Sequence, residues 1–219
     1  MTAYTGAVEV GGIADVRELP GLRITKVATN PFNNNCYLLR CAGTGATLLV
    51  DAAGDAPVLL ALLGDDPLVA VVETHGHWDH QQALVEVVAA TGAPVLVTAG
   101  DAGDLPVTPA RLLEDGDVVE VGQVRLTAIT ISGHTPGSVA LLYDAEPGEP
   151  HLFTGDSLFP GGPGNTDQDP ARFGTLMDDL ERKVFGVLPD ATWVYPGHGG
   201  DTTLGAERPS LPIWRERGW

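Results

Sequence analysis

The chain has 219 residues, which is enough for one domain with a sizeable hydrophobic core. Apolar residues make up 43% of it and the mean hydropathy is +0.07, a composition that favours a folded chain over a disordered one. The formal net charge of −17, from 29 acidic and 12 basic side chains, disfavours nucleic acid and anionic membranes as partners because both would be repelled.

The segment at 1–12 has neither the basic start nor the apolar stretch of a signal peptide, and no apolar run reaches transmembrane length. We therefore expect a cytoplasmic protein. Cys36 and Cys41 lie five positions apart in a predicted strand, so their side chains should face opposite sides of it. A disulfide is not expected, in keeping with a reducing compartment.

Strands are predicted where short runs of apolar and β-branched residues recur. In chain order these runs lie at 22–29, 36–40, 46–50, 68–73, 94–98, 117–121, 124–131, 138–143, 151–154 and 192–195. The pair Gly122-Gln123 separates two alternating runs, which predicts a β-hairpin.

Two helices are strongly indicated and a third, at 57–63, more weakly. The first should begin near Asp79 and end at Gly92, with a buried face formed by Ala83, Leu84, Val87 and Val88. The second should open with Asp169 as N-cap and Pro170 in the first turn, and bury Phe173, Leu176, Leu180 and Val184. Many strands with helices between and after them predict a layered α/β or α+β domain.

A cluster of candidate metal ligands follows the strand at 68–73. Three of the six histidines fall within the run His-Gly-His-Trp-Asp-His at 75–80, between a buried strand and an amphipathic helix. Loops at the ends of strands are where α/β proteins place their sites, and imidazole and carboxylate groups bind zinc and other transition metals. The predicted ligands in this loop are His75, His77, Asp79 and His80.

Three further residues repeat this placement at later strand ends. His134 follows the run at 124–131, Asp156 follows 151–154, and His198 follows 192–195, each beside a glycine that permits a tight turn. Any one of them alone would be an ordinary loop residue. A His/Asp set delivered by four strand ends towards one edge of a fold is typical of a metal site.

The motif His-x-His-x-Asp-His, followed in order by separate His, Asp and His motifs, resembles the metallo-β-lactamase superfamily over nearly the whole chain. The resemblance implies an αββα sandwich, with two mixed sheets face to face and helices outside, in a single domain over 1–219. It also implies two divalent metal ions, with zinc expected first and iron or manganese as alternatives. One ion would be held by His75, His77 and His134, and the other by Asp79, His80 and His198, while Asp156 would bridge the two.

Within that superfamily the chain is most similar to the short glyoxalase II-like (hydroxyacylglutathione hydrolase-like) enzymes. The similarity lies in Asn-Pro-Phe at 30–32, Asn-Cys-Tyr-Leu-Leu at 35–39, Thr-Gly-Asp-Ser-Leu-Phe at 154–159, Pro-Gly-His-Gly at 196–199, and the stretch at 203–208. It implies that a hydroxide shared by two metal ions, with Asp79 and Asp156 as catalytic residues, cleaves a small thioester or ester. The expected partner is therefore a small acyl thiol, and the oligomeric state is not predicted.

Two departures from the glyoxalase II pattern concern the substrate. Longer members have a C-terminal helical region that helps to hold glutathione, whereas only about twenty residues follow His198 here. Their Gly-Cys-Gly-Arg loop is replaced by Gly-Gly-Pro-Gly-Asn-Thr at 161–166, so the arginine is missing. The remaining candidates for substrate binding are Trp78, Asn165 and Arg172, while His151 matches no metal motif and is predicted to be structural.

Several other functions stay open. A mononuclear iron dioxygenase acting on persulfides would need only two histidines and a carboxylate, here His75, His134 and Asp156. A lactonase is less favoured, and so is a β-lactamase, the latter because many β-lactamases lack a bridging carboxylate at the position of Asp156. A nuclease is disfavoured by the acidic charge and by the absence of a long inserted domain. A binding module without activity would need seven polar ligands and no open coordination position.

Overall fold

The first part of the chain folds into a seven-stranded mixed sheet in the computed structural model, which describes residues 3–144 and 148–218. Its strands, adjacent in chain order, are β1 Asp15–Glu18, β2 Leu22–Thr29, β3 Asn34–Cys41, β4 Thr47–Val50, β5 Leu68–Val72, β6 Val95–Thr98 and β7 Arg111–Leu113. Strands β1 to β4 pair antiparallel, and β4 to β7 pair parallel. The carboxyl ends of β4, β5 and β6 therefore lie at one edge.

A second, six-stranded sheet follows. Its strands are β8 Val118–Val121, β9 Val124–Ile131, β10 Ser138–Tyr143, β11 His151–Gly155, β14 Trp193–Pro196 and β15 Thr202–Thr203, in the spatial order β15-β14-β11-β10-β9-β8. Only the β11–β14 pair is parallel among the described pairs of this sheet. A small hairpin, β12 Leu158–Phe159 with β13 Gly162–Pro163, stands apart from both sheets.

The α-helices of the described chain are α1 Ala56–Leu63, α2 Leu84–Thr91, α3 Pro170–Asp179, α4 Leu204–Glu207 and α5 Leu211–Arg217. A π-helical segment, Leu180–Phe185, continues α3, and 3₁₀ turns span Trp78–His80, Ala102–Asp104 and Arg208–Ser210. Within residues 3–144 and 148–218, none of the helices is both long and apolar enough to cross a bilayer.

Three hydrophobic clusters define four layers. The central cluster joins Leu39 and Leu48 of the first sheet to Leu141 and Phe153 of the second, so the two sheets pack face to face. A second cluster packs α1 and α2 on the outer face of the first sheet. A third packs α3 and α5 on the outer face of the second sheet. The predicted αββα sandwich is confirmed.

Most of the predicted elements are present within one or two residues of their predicted bounds. The hairpin at Gly122 joins β8 and β9, and α3 opens with Asp169, whose side chain accepts hydrogen bonds from two backbone amides. Cys36 and Cys41 both remain free thiols and face different clusters, as their odd spacing requires.

The predicted start of the helix near Asp79 was wrong. Residues Trp78–His80 form a separate 3₁₀ turn, and α2 begins only at Leu84. The Gln81 side chain lies between the two segments and donates to the Gly76 and Asp104 carbonyls, at 2.7 and 3.1 Å. A continuous helix would not place those groups together, so the break shapes the loop that carries the candidate ligands.

Lys26 is a buried charge on β2 that ties together distant parts of the chain. Its Nζ donates to Gly6 O at 2.6 Å, Gly199 O at 2.7 Å and Asp201 Oδ1 at 2.6 Å, which uses all three ammonium hydrogens. Since Gly199 directly follows His198, this ion pair anchors the loop after β14 to the first sheet.

His151 lies inside the second sheet, where its contacts are with tyrosines. Its Nδ1 is 3.0 Å from the Tyr195 hydroxyl, and its ring stacks on Tyr143 at a centroid distance of 6.1 Å. Burial, with the positive charge of Arg17 as the smaller cause, lowers the pKa of His151 to about 4. The histidine is therefore neutral in the folded protein at neutral pH and takes up a proton on unfolding at acid pH.

We expect His151→Gln to reduce the acid sensitivity of the fold. The folded-state pKa of about 4 lies below the ordinary value of 6.5, so the stability contributed by neutral His151 is complete above pH 6.5 and is lost as the pH falls towards 4. Urea unfolding measures the free energy of unfolding of the metal-free parent and variant across this pH range. We expect this free energy to depend more steeply on pH in the parent, which should take up as much as about one more proton on unfolding than the variant does. Equal slopes in the two proteins would contradict the assigned cause.

Candidate metal centre

All seven predicted ligands lie at one edge of the sandwich, where strands from both sheets end. The loop after β5 supplies His75, His77, Asp79 and His80, the loop after β9 supplies His134, the residue directly after β11 is Asp156, and the loop after β14 supplies His198. The parallel pairs of each sheet bring these carboxyl ends to the same edge, which explains why residues far apart in the sequence meet there.

His75, His77 and His134 form the first group of converging side chains. His77 Nδ1 lies 3.1 Å from both His75 Nε2 and His134 Nε2. The three ligand atoms all lie within 4.8 Å of one another, a spacing at which one metal ion could be held.

Asp79, His80 and His198 form the second group. The Nε2 atoms of the two histidines are 3.2 Å apart, and Asp79 Oδ2 lies 3.8 Å from His80 Nε2 and 3.6 Å from His198 Nε2. The amide of Asn34 donates to Asp79 Oδ2 at 3.0 Å and so fixes the direction of that carboxylate. This group also has the geometry to hold a metal ion.

Asp156 lies between the two groups. Its Oδ1 is 3.3 Å from His80 Nε2, while its Oδ2 is 3.4 Å from His198 Nε2 and 3.6 Å from His134 Nε2. Oδ1 is buried and receives no well-aligned hydrogen bond from the described residues, which suits an oxygen that faces a cation. Only glycine fits at position 197, because a Cβ there would overlap with Asp156 Oδ1.

Four of the histidines are held at Nδ1 by a group outside the centre. These contacts are His75 to Thr74 Oγ1 at 3.0 Å, His80 to Asp51 Oδ2 at 2.9 Å, His134 to Asn165 O at 2.7 Å and His198 to Phe32 O at 3.0 Å. A carbonyl oxygen can only accept, so at least His134 and His198 carry hydrogen on Nδ1 and direct an Nε2 lone pair inward. Outer hydrogen bonds of this kind are typical of metal-binding histidines, and the donor set fits a divalent transition metal.

The ionisable side chains of the centre shift one another's pKa values. Burial opposes the charged form of His80, but Asp156 and Asp51 outweigh it and hold the pKa of His80 well above its ordinary value. Burial likewise opposes ionisation of Asp156, yet His80 and His198 hold the pKa of Asp156 well below its usual range. Burial lowers the pKa of both His75 and His134, which keeps these rings neutral and available to a metal ion.

Asp51 is part of the site, although it is not among the residues predicted above. Besides holding His80, its carboxylate accepts from the Thr74 backbone amide at 2.6 Å and from the Thr74 hydroxyl at 2.8 Å. It follows β4 directly and has a φ of 57°. An aspartate placed directly after an apolar strand is the same signal that identified the ligands, so Asp51 could have been found by it.

Asp101 is a second residue that was missed. It is fully buried, and its carboxylate accepts from the Gly76 amide at 3.0 Å, the Thr135 hydroxyl at 2.6 Å and the Gly137 amide at 3.1 Å. It thereby joins the loop of His75 to the loop of His134. No pattern in its own neighbourhood indicates this role, because its partners come from two other loops.

We expect Asp51→Asn to weaken metal binding by about 10–100-fold, the usual effect of losing an outer carboxylate partner of a ligating histidine. The substitution keeps the shape of the side chain and removes the charge that faces His80. Chelator competition on the parent and the variant measures the affinity, with Asp65→Asn, at an exposed acid remote from the centre, as the matched control. Unchanged affinity in Asp51→Asn would exclude this role.

The three candidate substrate residues differ in their placement. Trp78 is exposed beside the ligand loop. The side chain of Asn165 turns away to accept from the Asp167 amide, and it is the backbone oxygen of Asn165 that reaches His134. Arg172 lines an open pocket of about 640 Å³ together with His77 and His134.

Arg172, a candidate for substrate binding, presents no free charge to this pocket. Its guanidinium donates to Gly133 O at 2.9 Å, His134 O at 2.5 Å and Asp167 Oδ2 at 2.7 Å. These contacts brace the His134 loop and neutralise much of the charge.

The family model of the metallo-β-lactamase superfamily matches residues 29–198, a span that contains every side chain of both groups. The chain belongs to the metallo-β-lactamase superfamily. Among curated members of the superfamily, a hydroxyacylglutathione hydrolase of Fuscovulum blasticum is 39% identical over 168 residues, which cover 76% of this chain. The match covers 62% of that relative, so the chain spans less than two thirds of its length.

Solved structures of superfamily members are similar over most of the chain. The di-iron-bound form of TTHA1623 has a TM-score of 0.71 and 33% identity, and the match covers 86% of this chain and 98% of that one. ETHE1 from Myxococcus xanthus has a TM-score of 0.74 and 29% identity, with 86% and 83% of the two chains covered. These superfamily members share the αββα fold described above.

Proposed function

We propose that this superfamily member is a binuclear metallohydrolase that cleaves small thioesters. The observation that carries the proposal is the position of Asp156, whose carboxylate lies within 3.3–3.6 Å of histidines from both groups. One ion would be held by His75, His77 and His134 and the other by Asp79, His80 and His198, with Asp156 shared. Zinc is the proposed metal, with iron or manganese as alternatives, because imidazole and carboxylate ligands suit all three.

The chain's own residues prepare the site for hydrolysis. Two divalent ions, when bound there, lower the pKa of a shared water towards neutrality and polarise a carbonyl group. Asp79, held by Asn34, and Asp156 supply the negative charge that orients the water. In the overall reaction water adds to the carbonyl carbon, the carbon–sulfur bond breaks, and a carboxylate, a thiol and a proton are released. No serine or cysteine nucleophile is required.

Similarity to the hydroxyacylglutathione hydrolases supports a thioester as substrate. The carrier thiol is a separate matter, because residues 161–166 lack the arginine of those enzymes and Arg172 is already bound to Gly133, His134 and Asp167. We therefore propose that any preference for glutathione over simpler thiols is at most weak. The two free cysteines are in keeping with a cytoplasmic location, which we also propose.

Steady-state kinetics on a matched set of S-2-hydroxyacyl thiols tests this function. We expect saturable hydrolysis of the S-lactoyl derivatives of several thiols, with kcat/KM for the glutathione conjugate no more than about tenfold above that of any other. A strong, saturable preference for glutathione would contradict the proposed carrier range. Absence of hydrolysis with zinc, iron and manganese would contradict the thioesterase itself.

A mononuclear iron persulfide dioxygenase is the second candidate function. The structural similarity to ETHE1 supports this second candidate. His75, His134 and Asp156 would supply the two histidines and the carboxylate that such iron sites use. In that case Asp79, His80 and His198 would serve only as hydrogen-bonding neighbours of a single iron, a difference that substitution can test.

A further inference from the structure

Two surfaces with different linings lie beside the metal centre. The first, which we call the polar pocket, is lined mostly by residues with charged or hydrogen-bonding side chains, among them His77, Asp104, His134, Asp167, Arg172 and Thr175. An apolar groove of about 370 Å³, which we call the Trp78 groove, is lined mainly by Trp78, Val85, Leu105 and Pro106. Asp104 lines both, so the two surfaces are continuous past the ligand loop.

Large apolar side chains are unusually exposed at the start of the Trp78 groove. Trp78 stands between the ligands His77 and Asp79 and is 61% exposed, and Phe32, 52% exposed, meets it edge-on with ring centroids 5.1 Å apart. Val85, on the first turns of α2, is also 52% exposed and continues the apolar surface. Contiguous exposed apolar surface beside a site usually marks a place where a ligand binds.

The aromatic side chains lie on the side of the second ligand group. The Phe32 carbonyl accepts from His198, and the Phe159 ring lies 6.2 Å from the His198 ring. The polar pocket lies instead beside His77 and His134 of the first group. Phe32 and Phe159 therefore give the second group an aromatic side, and Trp78, in contact with Phe32, connects that side to the Trp78 groove.

The two surfaces suit the two halves of a hydroxyacyl thioester differently. The hydroxyl of a 2-hydroxyacyl group needs polar partners when it leaves water, and the polar pocket is lined by the exposed side chains of Asp167 and Thr175. The thiol half then extends towards Trp78. A charged carrier would lose hydration there without gaining an oppositely charged partner. Asp104 at the junction would also repel the carboxylates of an anionic carrier.

We propose that the Trp78 groove binds the carrier half of the substrate and selects an apolar thiol, alkyl or aromatic, over a charged one. This inference rests on the proposed thioesterase activity and names the class of thiol released. Contact with the indole of Trp78 and with Val85 removes the thiol's apolar surface from water, so each added methylene strengthens binding until the groove is filled.

The test uses two substrate series with the metal-loaded enzyme. In the first, S-lactoyl thioesters carry ethane-, butane- and hexanethiol, with glutathione as the charged carrier. In the second, the thiol is fixed as butanethiol and the acyl chain lengthens. We expect kcat/KM to rise by about two- to fourfold per methylene in the first series and to stay flat in the second.

Substitutions then assign the effect to the groove. Trp78→Ala should remove most of the dependence on thiol length, Trp78→Phe should keep most of it, and Val187→Ala, at an exposed apolar residue remote from the site, should leave it intact. Metal content per chain, measured in parallel, should be equal in all four proteins. A slope that survives Trp78→Ala, or that appears in the acyl series, would overturn the proposal.

The remaining outcomes are also decisive. Hydrolysis of every S-lactoyl thiol at one rate would overturn the apolar selection while leaving the thioesterase intact, whereas no hydrolysis of any of them would refute the proposed function. Sedimentation velocity tests whether a second copy of the chain occupies the groove instead of a thiol. A parent dimer that Trp78→Ala converts to a monomer, together with a flat thiol series, would assign the groove to a second copy of the chain instead.

Discussion

Replacing Asp156 with alanine is expected to lower the metal content far below that of the parent and to reduce thioester hydrolysis by about 10³-fold or more. The carboxylate lies between histidines of both ligand groups, at 3.3 Å from His80, 3.4 Å from His198 and 3.6 Å from His134. Its loss removes a ligand from each proposed ion. It also removes the negative charge that offsets the repulsion between the two cations. Metal analysis and kinetics on the same preparation measure both effects.

Asp65→Ala is the matched control, since this aspartate is exposed and remote from the centre. It should keep the metal content and rate of the parent. Circular dichroism of Asp156→Ala should show a folded protein, because the hydrophobic clusters of the sandwich do not depend on this carboxylate. A folded Asp156→Ala variant with full metal and full rate would show that the centre lies elsewhere.

The double substitution His80→Ala with His198→Ala is expected to reduce two metal ions per chain to one and to abolish thioester hydrolysis, with the fold retained. Together with Asp79 these histidines form the second ligand group, and their Nε2 atoms are only 3.2 Å apart. A binuclear hydrolase needs that ion, whereas a one-iron oxygenase needs only two histidines and a carboxylate with positions left open.

His151→Gln serves as the histidine control, because His151 contacts tyrosines of the second sheet rather than the ligand groups. Its metal content should equal that of the parent. If the double variant instead keeps one tightly bound iron and most of its oxygen consumption with a persulfide, the dioxygenase becomes the correct assignment and the second group is only a hydrogen-bonding shell.

Local signals were sufficient to predict much of the fold and the members of the candidate site. Strands such as β9 and β10 have short apolar runs with clear turns, so the hydrophobic pattern predicts their bounds. The candidate ligands share one signal, a His or Asp in the loop that follows a buried strand, and five of the seven are also next to a glycine. The αββα arrangement itself came from the resemblance to a family, because no local pattern states which faces of two sheets pack together.

The parts that escaped prediction depend on contacts between distant segments. Strand β1 lies at a sheet edge and has no buried residue, so its sequence lacks a hydrophobic pattern. Helix α2 starts late because the Gln81 side chain is held by the Gly76 and Asp104 carbonyls. Asp101 is recognisable only once the loops that it joins are in place. The sequence likewise indicates nothing about Arg172 being engaged by backbone carbonyls.

Stepwise addition of a metal ion to the metal-free protein, with hydrolysis of an S-lactoyl alkyl thiol followed at each step, tests the binuclear assignment most directly. Two groups that share Asp156 predict that hydrolysis stays low after one equivalent per chain, rises to its maximum at two equivalents and proceeds without oxygen uptake. Full activity at one equivalent of iron, accompanied by oxygen uptake with a persulfide, would contradict it.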